Sequence, residues 1–224
     1  MIALQCAALP MFETINCVAP DGTVNAFVGP SGSGKSVVLS LLIGRYKPSS
    51  GRLRVGQVDP AADPIAVRRH VCFVALGAPL LPDLSVVDNV KLALALTGSP
   101  PATYQQIAYA LRVSEVPDRQ FHQPARRLTK CEGLCTWLAI HHLRRTSVLV
   151  IDEPAGDLPA AAQRDASRLI REAVTGAQVG VFTSRDLGFA YATADQVFRI
   201  EQGVIELDSA RSRPATGVAP RPFN

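Results

Sequence analysis

The run Gly29-Pro30-Ser31-Gly32-Ser33-Gly34-Lys35-Ser36 satisfies the pattern G-x-x-x-x-G-K-[ST] and carries one further glycine inside it. Residues of these types at this spacing make a cradle for phosphate. Glycines let successive backbone N–H groups turn inward, and a helix starting at the end of the loop aims its positive pole at the same point. Lys35 is placed to reach β- and γ-phosphate oxygens, and Ser36 to ligate Mg²⁺. Val37, next in the chain, completes the set expected to touch the nucleotide. The flanks have the order this chemistry needs: Val24 to Val28 reads as a short buried strand, and Val37 to Ile43 as a buried helix.

A second constellation lies far downstream, where the apolar strand Ser147-Val148-Leu149-Val150-Ile151 ends in Asp152-Glu153-Pro154. An aspartate at such a strand end can hold Mg²⁺ directly or through water. Glu153 beside it is placed to act as the base for the water that attacks a γ-phosphate. Together the two motifs make an ATPase with ATP and Mg²⁺ as cofactors.

The elements that must carry these motifs follow from pattern and breakers. Residues Met1 to Asn16 alternate weakly and read as edge strands before the Asp21-Gly22 turn. Lys47-Pro48-Ser49-Ser50-Gly51 stops the first helix and turns the chain into the strand Arg52 to Val55. Val71 to Ala75 is another strand. From about Leu84 to Arg145 the period becomes helical, in three segments: Val86 to Leu94, Tyr104 to Val113 and Cys131 to Arg145. Ala160 to Val174 reads as a helix, Val179 to Phe182 as a buried strand, and Val197–Ile200 with Val204–Leu207 as a hairpin around Gln202-Gly203. Such alternation of strand and helix predicts an α/β fold, a mostly parallel sheet with an antiparallel β edge and an inserted helical subdomain at about residues 84–145. The domain is expected to span residues 1–207. Residues 208–224, rich in Pro, Arg, Ala and Ser, read as a disordered tail.

Composition narrows the class. With 224 residues, 47% hydrophobic and 19% charged, the chain can build one sizeable core. A formal charge of +4 from scattered basic residues gives no nucleic-acid footprint, and a mildly basic surface suits anionic lipid or an acidic partner. No apolar run approaches the roughly twenty residues of a membrane helix, and the amino terminus has no signal pattern, so a cytosolic protein is expected. Five cysteines, Cys6, Cys17, Cys72, Cys131 and Cys135, are irregularly spaced and read as reduced. Cys131 and Cys135 share a helical face ahead of His141 and His142; buried thiols and a metal site are both open readings.

With these motifs in place, the sequence resembles the nucleotide-binding subunits of ABC transporters over nearly its whole length. Gly29 to Ser36 is similar to their Walker A loop, Pro48-Ser49-Ser50-Gly51 to the turn after their first helix, Leu81 to Val90 to their entry into the helical subdomain, and Leu149 to Pro154 to their Walker B strand with its catalytic glutamate. The run Asp88 to Gly98 is similar to the small separate ATPases that serve MacB, lipoprotein-release and FtsE-type exporters. The resemblance implies a P-loop NTPase (RecA-like) core, an integral membrane transporter subunit as partner, a second ATP-binding subunit closing on the first, and a location at the inner face of the cell membrane.

Several residues depart from the family's pattern. Leu76 stands where the family has a glutamine that touches Mg²⁺ and the attacking water. Arg185 stands where the family has a switch histidine; arginine does not shuttle a proton near neutral pH, but can clamp a γ-phosphate as a fixed cation. The signature loop reads Leu128-Thr129-Lys130-Cys131-Glu132 in place of Leu-Ser-Gly-Gly-Gln, and Lys130 is either a solvated lysine or a cation directed at the partner's phosphate. Gly156-Asp157-Leu158-Pro159 ends in proline where the family has aspartate. Phe12 is the only aromatic residue before the strand Val24 to Val28, further from Cys6 than a family adenine-stacking ring would lie. Gly77-Ala78-Pro79-Leu80-Leu81-Pro82 is an apolar loop that either receives the membrane subunit or tucks into its own core.

These features give an ATP-binding subunit of an ABC transporter, slow or partner-dependent in hydrolysis, working in a hetero-dimer, with a homodimer the poorer arrangement. The alternative is a catalytically inactive, ATP-gated structural or regulatory subunit of a membrane complex. A P-loop kinase is disfavoured, because Asp152-Glu153-Pro154 follows a helical insert and no acceptor lid is evident.

Overall fold

The computed structural model describes residues 1–9, 12–74, 80–156 and 158–210. The chain runs through β1 (Ile2–Leu9), β2 (Phe12–Ala19), β3 (Val24–Val28), α1 (Lys35–Leu42), β4 (Ser50–Val55), α2 (Pro64–His70) and β5 (Val71–Val74). Three helices follow: α3 (Val86–Leu96), α4 (Tyr104–Val113) and α5 (Lys130–Arg144). Alternation then resumes in β6 (Val148–Ile151), α6 (Ala160–Ala173), β7 (Val179–Ser184), α7 (Leu187–Thr193), β8 (Gln196–Glu201) and β9 (Val204–Ala210).

Two sheets result. The larger has the order β5-β6-β7-β3-β8-β9, parallel except for the antiparallel β8–β9 pair. The smaller is an antiparallel sheet in the order β2-β1-β4. Parallel strands are covered on both faces and so read as continuous apolar runs. Side-chain alternation then sends neighbours to opposite cores. Val24, Ala26 and Val28 of β3, with Leu149 and Ile151 of β6 and Phe182 of β7, face a core shared with α3 to α7. Phe27, Val148, Val150, Val179 and Val181 face a second core with α1, α2 and the antiparallel sheet.

The helical segment hangs together by apolar spacing and by caps. Val86, Val90 and Leu94 of α3 join the same core as Ile107 and Leu111 of α4 and Leu134 and Leu138 of α5. Thr103 and Gln106 form a capping box at α4, as do Thr129 and Glu132 at α5, and Ser85 caps α3 by accepting from Asp88 N. Asn89 fastens the entrance: its Oδ1 accepts from Leu81 N at 2.6 Å, and its Nδ2 donates to the carbonyls of Leu81, Leu84 and Ser85. A buried amide that satisfies four backbone groups gives the Leu81–Ser85 loop one geometry.

The mixed sheet and helical insert agree with the sequence reading, with corrections at the edges. Residues 208–210, assigned to the tail, belong to β9, where Asp208 contacts both Tyr191 and Arg199; residues 211–224 lie outside the described residues. Helices α2 and α7 are absent from the sequence reading. Each has only seven residues, and each is announced by an aspartate cap, Asp63 before Pro64 and Asp186 before Leu187, rather than by apolar period. Ala75, read as the end of a strand, lies outside the described residues, as do Leu76 and Gly77 to Pro79. Cys17, Cys72 and Cys135 are buried free thiols and Cys131 is half-buried. Burial pushes the Cys17 and Cys135 thiols up to about 12 and Cys72 up to about 11, so these are unreactive sulfurs. Among the described residues no helix is long and apolar enough to cross a membrane, and no group of three or more His, Cys, Asp or Glu side chains is arranged to hold a metal ion.

His141, on α5, is 1% exposed, with Nδ1 2.5 Å from Thr146 Oγ1 and Nε2 3.4 Å from Gln178 Nε2. Burial lowers its pKa from 6.5 to about 4. Above pH 6.5 the imidazole is neutral in both folded and unfolded chains. As pH falls from 6.5 toward 4 the unfolded chain takes up the proton first, and stability is lost, by up to about 3 kcal/mol in total. Urea unfolding at pH 7 and pH 4.5 should therefore show a smaller acid loss for His141→Asn than for the native chain; equal losses would reject the assignment.

Candidate functional site

The parallel register brings three strand ends to one edge. Val28 of β3 lies beside Ser184 of β7, and Ile151 of β6 beside Phe182. The loop after β3, the acidic pair after β6 and the end of β7 therefore meet at the carboxyl ends of adjacent strands, where open α/β sheets hold ligands.

Gly29 opens the loop with no room for a side chain. A Cβ there would lie 2.5 Å from the Ile200 carbonyl oxygen of β8 and 2.7 Å from Ser33 Oγ. Gly34 closes the loop at φ +97°, a left-handed conformation open to glycine, and starts α1. No side chain caps α1 and no acidic residue occupies its first turn, so its positive end remains available for an anion. Lys35 is 6% exposed and its ammonium donates to the carbonyls of Gly29 and Pro30, each at 2.8 Å. Burial draws its pKa below the usual lysine range, opposed by the neighbouring Glu153 carboxylate. Ser36 Oγ donates to Asp152 Oδ2 at 3.3 Å across 116 residues of sequence. Two hard oxygens this close suit Mg²⁺, which takes one or two protein oxygens and fills its remaining positions with water and phosphate.

The β7 end supplies a partner that sequence reasoning missed. Thr183, fully buried, donates through Oγ1 to Asp152 Oδ1 at 2.5 Å and accepts from the Glu153 N–H at 3.0 Å. Its one sequence signal is a hydroxyl ending the apolar run Val179-Gly180-Val181-Phe182. Glu153 has φ +51°, and its carboxylate turns back to the loop: Oε1 lies 3.8 Å from Lys35 Nζ and 3.5 Å from Arg185 Nε, while Oε2 accepts from Arg185 N at 3.2 Å. Ser31, Gly32, Gly34, Lys35, Ser36, Val37, Asp152, Glu153 and Arg185 surround a cleft of about 480 Å³. All the sequence-predicted residues from Ser31 onward are thus brought together except Ser33, whose hydroxyl is tucked beneath the loop; Gly29 and Pro30 bind Lys35 through their carbonyls.

Other predicted residues are placed apart from this cleft. Phe12 is 3% exposed in the second core and cannot present a ring to a base. Thr129 and Lys130 are exposed at the start of α5 and line, with Leu128, Trp137, Leu158 and Pro154, an apolar cleft of about 360 Å³ that reaches Asp152 and Glu153 from the other side. The capping carboxylate of Glu132 lies 2.8 Å from Thr129 N and 3.8 Å from Arg119. Of the apolar loop before α3, Leu80 packs against the core whereas Leu81 is 48% exposed. Asp157 lies outside the described residues.

The profile of the ABC transporter family matches residues 12–156. The chain belongs to that family. Among curated proteins, it is 34% identical over 203 residues to an aliphatic sulfonates import ATP-binding protein of Pseudomonas syringae pv. tomato, covering 88% of this chain and 70% of that protein. It is also 28% identical over 205 residues to a macrolide export ATP-binding/permease protein of Aeromonas hydrophila subsp. hydrophila, covering 89% of this chain and 31% of that protein. Of other curated relatives it spans between 18% and 58% of the length. A dimeric ATP-binding cassette solved in a post-hydrolysis state with ADP and Pi superposes with a TM-score of 0.79 at 18% identity, covering 95% of this chain and 100% of that one, which shows the shared fold. The ABC transporter family thus includes this chain on both profile and pairwise similarity, and its relatives include import and export proteins alike.

Within this ABC cassette, Thr183 predicts a measurable effect. Thr183→Val keeps the shape but leaves Asp152 Oδ1 and Glu153 N without their shared partner. Loss of about 1–3 kcal/mol in unfolding free energy is expected, together with a larger loss of nucleotide binding in magnesium than in EDTA. Unchanged binding in both conditions would show that Thr183 does not position Asp152.

Proposed function

We propose that the chain is the ATP-binding subunit of an ABC transporter, binding Mg-ATP at the loop Gly29 to Ser36 and hydrolysing it slowly or only with a partner. The observation that carries this reading is the meeting of Ser36 Oγ and Asp152 Oδ2 at 3.3 Å beside the buried Lys35 ammonium. Lys35 is held over the loop by two carbonyls and can turn its charge to phosphate oxygens without entering from solvent. Ser36 and Asp152 would hold magnesium, which when bound neutralises charge on the phosphate oxygens. Glu153, 13% exposed in its side chain, is oriented by its own backbone bond to Thr183 and is the group to take the proton of an attacking water.

Slow turnover follows from what is replaced. Leucine at 76 cannot ligate a metal, and an exposed lysine and a half-buried cysteine occupy Lys130 and Cys131 where a close approach of backbone would favour glycine. A second ATP-binding chain with an intact signature loop would complete the site. The membrane subunit, and with it the substrate and direction of transport, would come from a separate partner, which would keep this chain at the inner face of the cell membrane. Leu81 and Leu84, exposed beside α3, are the apolar residues such a partner would cover.

Nucleotide binding and phosphate release measured on the purified chain, alone and with a co-purified ATP-binding partner, test this. Lys35→Ala should weaken nucleotide binding about tenfold or more. Glu153→Gln should keep binding and reduce turnover about a hundredfold or more. A wild-type chain that turns over alone faster than about 1 s⁻¹, or a Glu153→Gln chain as active as wild type, would refute the reading.

A further inference from the structure

Cations occur throughout the chain, but their excess does not. Residues 45–70 hold six Lys or Arg against Asp59 and Asp63, a net +4 that equals the formal charge of the whole chain, so the remaining residues balance. All six cations are exposed. Both aspartates are turned to backbone: Asp59 accepts from Ala61 N at 2.8 Å, and Asp63 caps α2 by accepting from Ala66 N at 2.8 Å.

Four of these cations collect at the amino ends of the parallel strands. Helix α1 carries the chain from the phosphate loop back to that edge, and α2 ends there, since His70 directly precedes the first residue of β5. Gly44, at φ +70°, lays the chain after α1 against the start of α2: a Cβ there would lie 2.8 Å from Pro64 Cβ and 2.9 Å from the Pro60 carbonyl oxygen. Arg45, Tyr46 and Lys47 therefore follow on beside Pro64 and Ile65. On α2, Val67 is buried, while Ile65, Arg68 and Arg69, three and four residues apart, share the outward face. Tyr46 is 55% exposed and Ile65 67%.

Helix capping does not account for this face. At the end of α2 the Arg68 carbonyl already accepts from Arg144 Nη2 at 2.8 Å and the His70 carbonyl from Ser147 Oγ at 3.4 Å. The side chains of Arg45, Lys47, Arg68 and Arg69 have no carboxylate partner among the described residues. Cations set around two projecting apolar side chains complement a layer of anionic headgroups, with phosphates outside and the acyl boundary just beneath.

We propose that this face is a docking surface for anionic lipid: Arg45, Lys47, Arg68 and Arg69 hold headgroup phosphates, and Tyr46 and Ile65 enter the interface between them. The face lies at the opposite strand ends from the cleft of Lys35 and Glu153, so lipid and nucleotide do not compete for the chain. The contact is the chain's own, additional to any membrane subunit, and it does not rest on the nucleotide reading.

The test is co-sedimentation of the full chain with vesicles of phosphatidylcholine and with vesicles of phosphatidylcholine mixed with phosphatidylglycerol. Binding is expected to the mixed vesicles alone, weakening about tenfold or more when salt rises from about 0.05 M to about 0.5 M. Arg68→Gln/Arg69→Gln should weaken it about tenfold or more, and Tyr46→Ala/Ile65→Ala about threefold or more. Arg119→Gln/Arg164→Gln, which removes the same charge from exposed residues outside this face, should change it less than about twofold. All three variants alter exposed side chains and should keep the wild-type urea midpoint, which separates loss of the face from loss of the fold. Equal binding to both kinds of vesicle, an equal loss in the Arg119→Gln/Arg164→Gln chain, or binding untouched by the other two variants would overturn the proposal. Preference for soluble polyglutamate over the mixed vesicles would overturn it too, assigning the face to an acidic protein segment. Since the readout is lipid and not nucleotide, any of these results leaves the proposed function standing.

Discussion

One hydroxyl holds the acidic half of the candidate site together. Thr183 Oγ1 faces two neighbours of opposite character, donating to the Asp152 carboxylate and accepting from the Glu153 amide. Because β6 and β7 are adjacent and parallel, with Ile151 opposite Phe182, that hydroxyl lies level with the first residue beyond β6. The amide bond also anchors a left-handed backbone at Glu153, φ +51°, which for a residue with a side chain costs on the order of 1 kcal/mol or more. Without the anchor the chain after Asp152 would relax, and the two carboxylates would no longer diverge, one toward Ser36 and the other toward Lys35 and Arg185.

Much of this was legible in the sequence because the chemistry is local there. The glycine loop, its lysine and its serine occupy eight consecutive residues, and buried parallel strands read as apolar runs. The acidic pair stands at the end of such a run. What the sequence does not carry is which strand ends become neighbours. Thr183 sits 31 residues from Asp152, and its role exists only once β7 lies beside β6. Arg185 was readable as a cation near phosphate, but its carboxylate partner was not, since Glu153 reaches it through a backbone conformation that residue type does not predict. The sequence names no adenine-stacking ring, and the one aromatic residue ahead of β3, Phe12, is taken by the core.

Length decided the errors among elements. Helices α3, α4 and α5 have enough turns for apolar spacing to declare itself, and α4 begins and ends where that spacing places it. Helices α2 and α7 span two turns each, bury few side chains, and depend on their aspartate caps. The last strand was cut short because Asp208-Ser209-Ala210 has little strand propensity; pairing to β8 and the contacts of Asp208 override it.

The position of β3 has a consequence for how the molecule comes into being. It is the strand that delivers the phosphate loop, it lies between β7 and β8, and its amide at Val24 is held by Asp195, 171 residues away. Gly29 itself rests against the carbonyl of Ile200. During synthesis the loop leaves the ribosome early but has no walls until the last strands follow, so its motif is present long before its geometry. A nascent chain halted before β7 would carry every residue of the loop without the strands that shape it, so under the function proposed above nucleotide capture would be a late event that follows closure of the whole sheet.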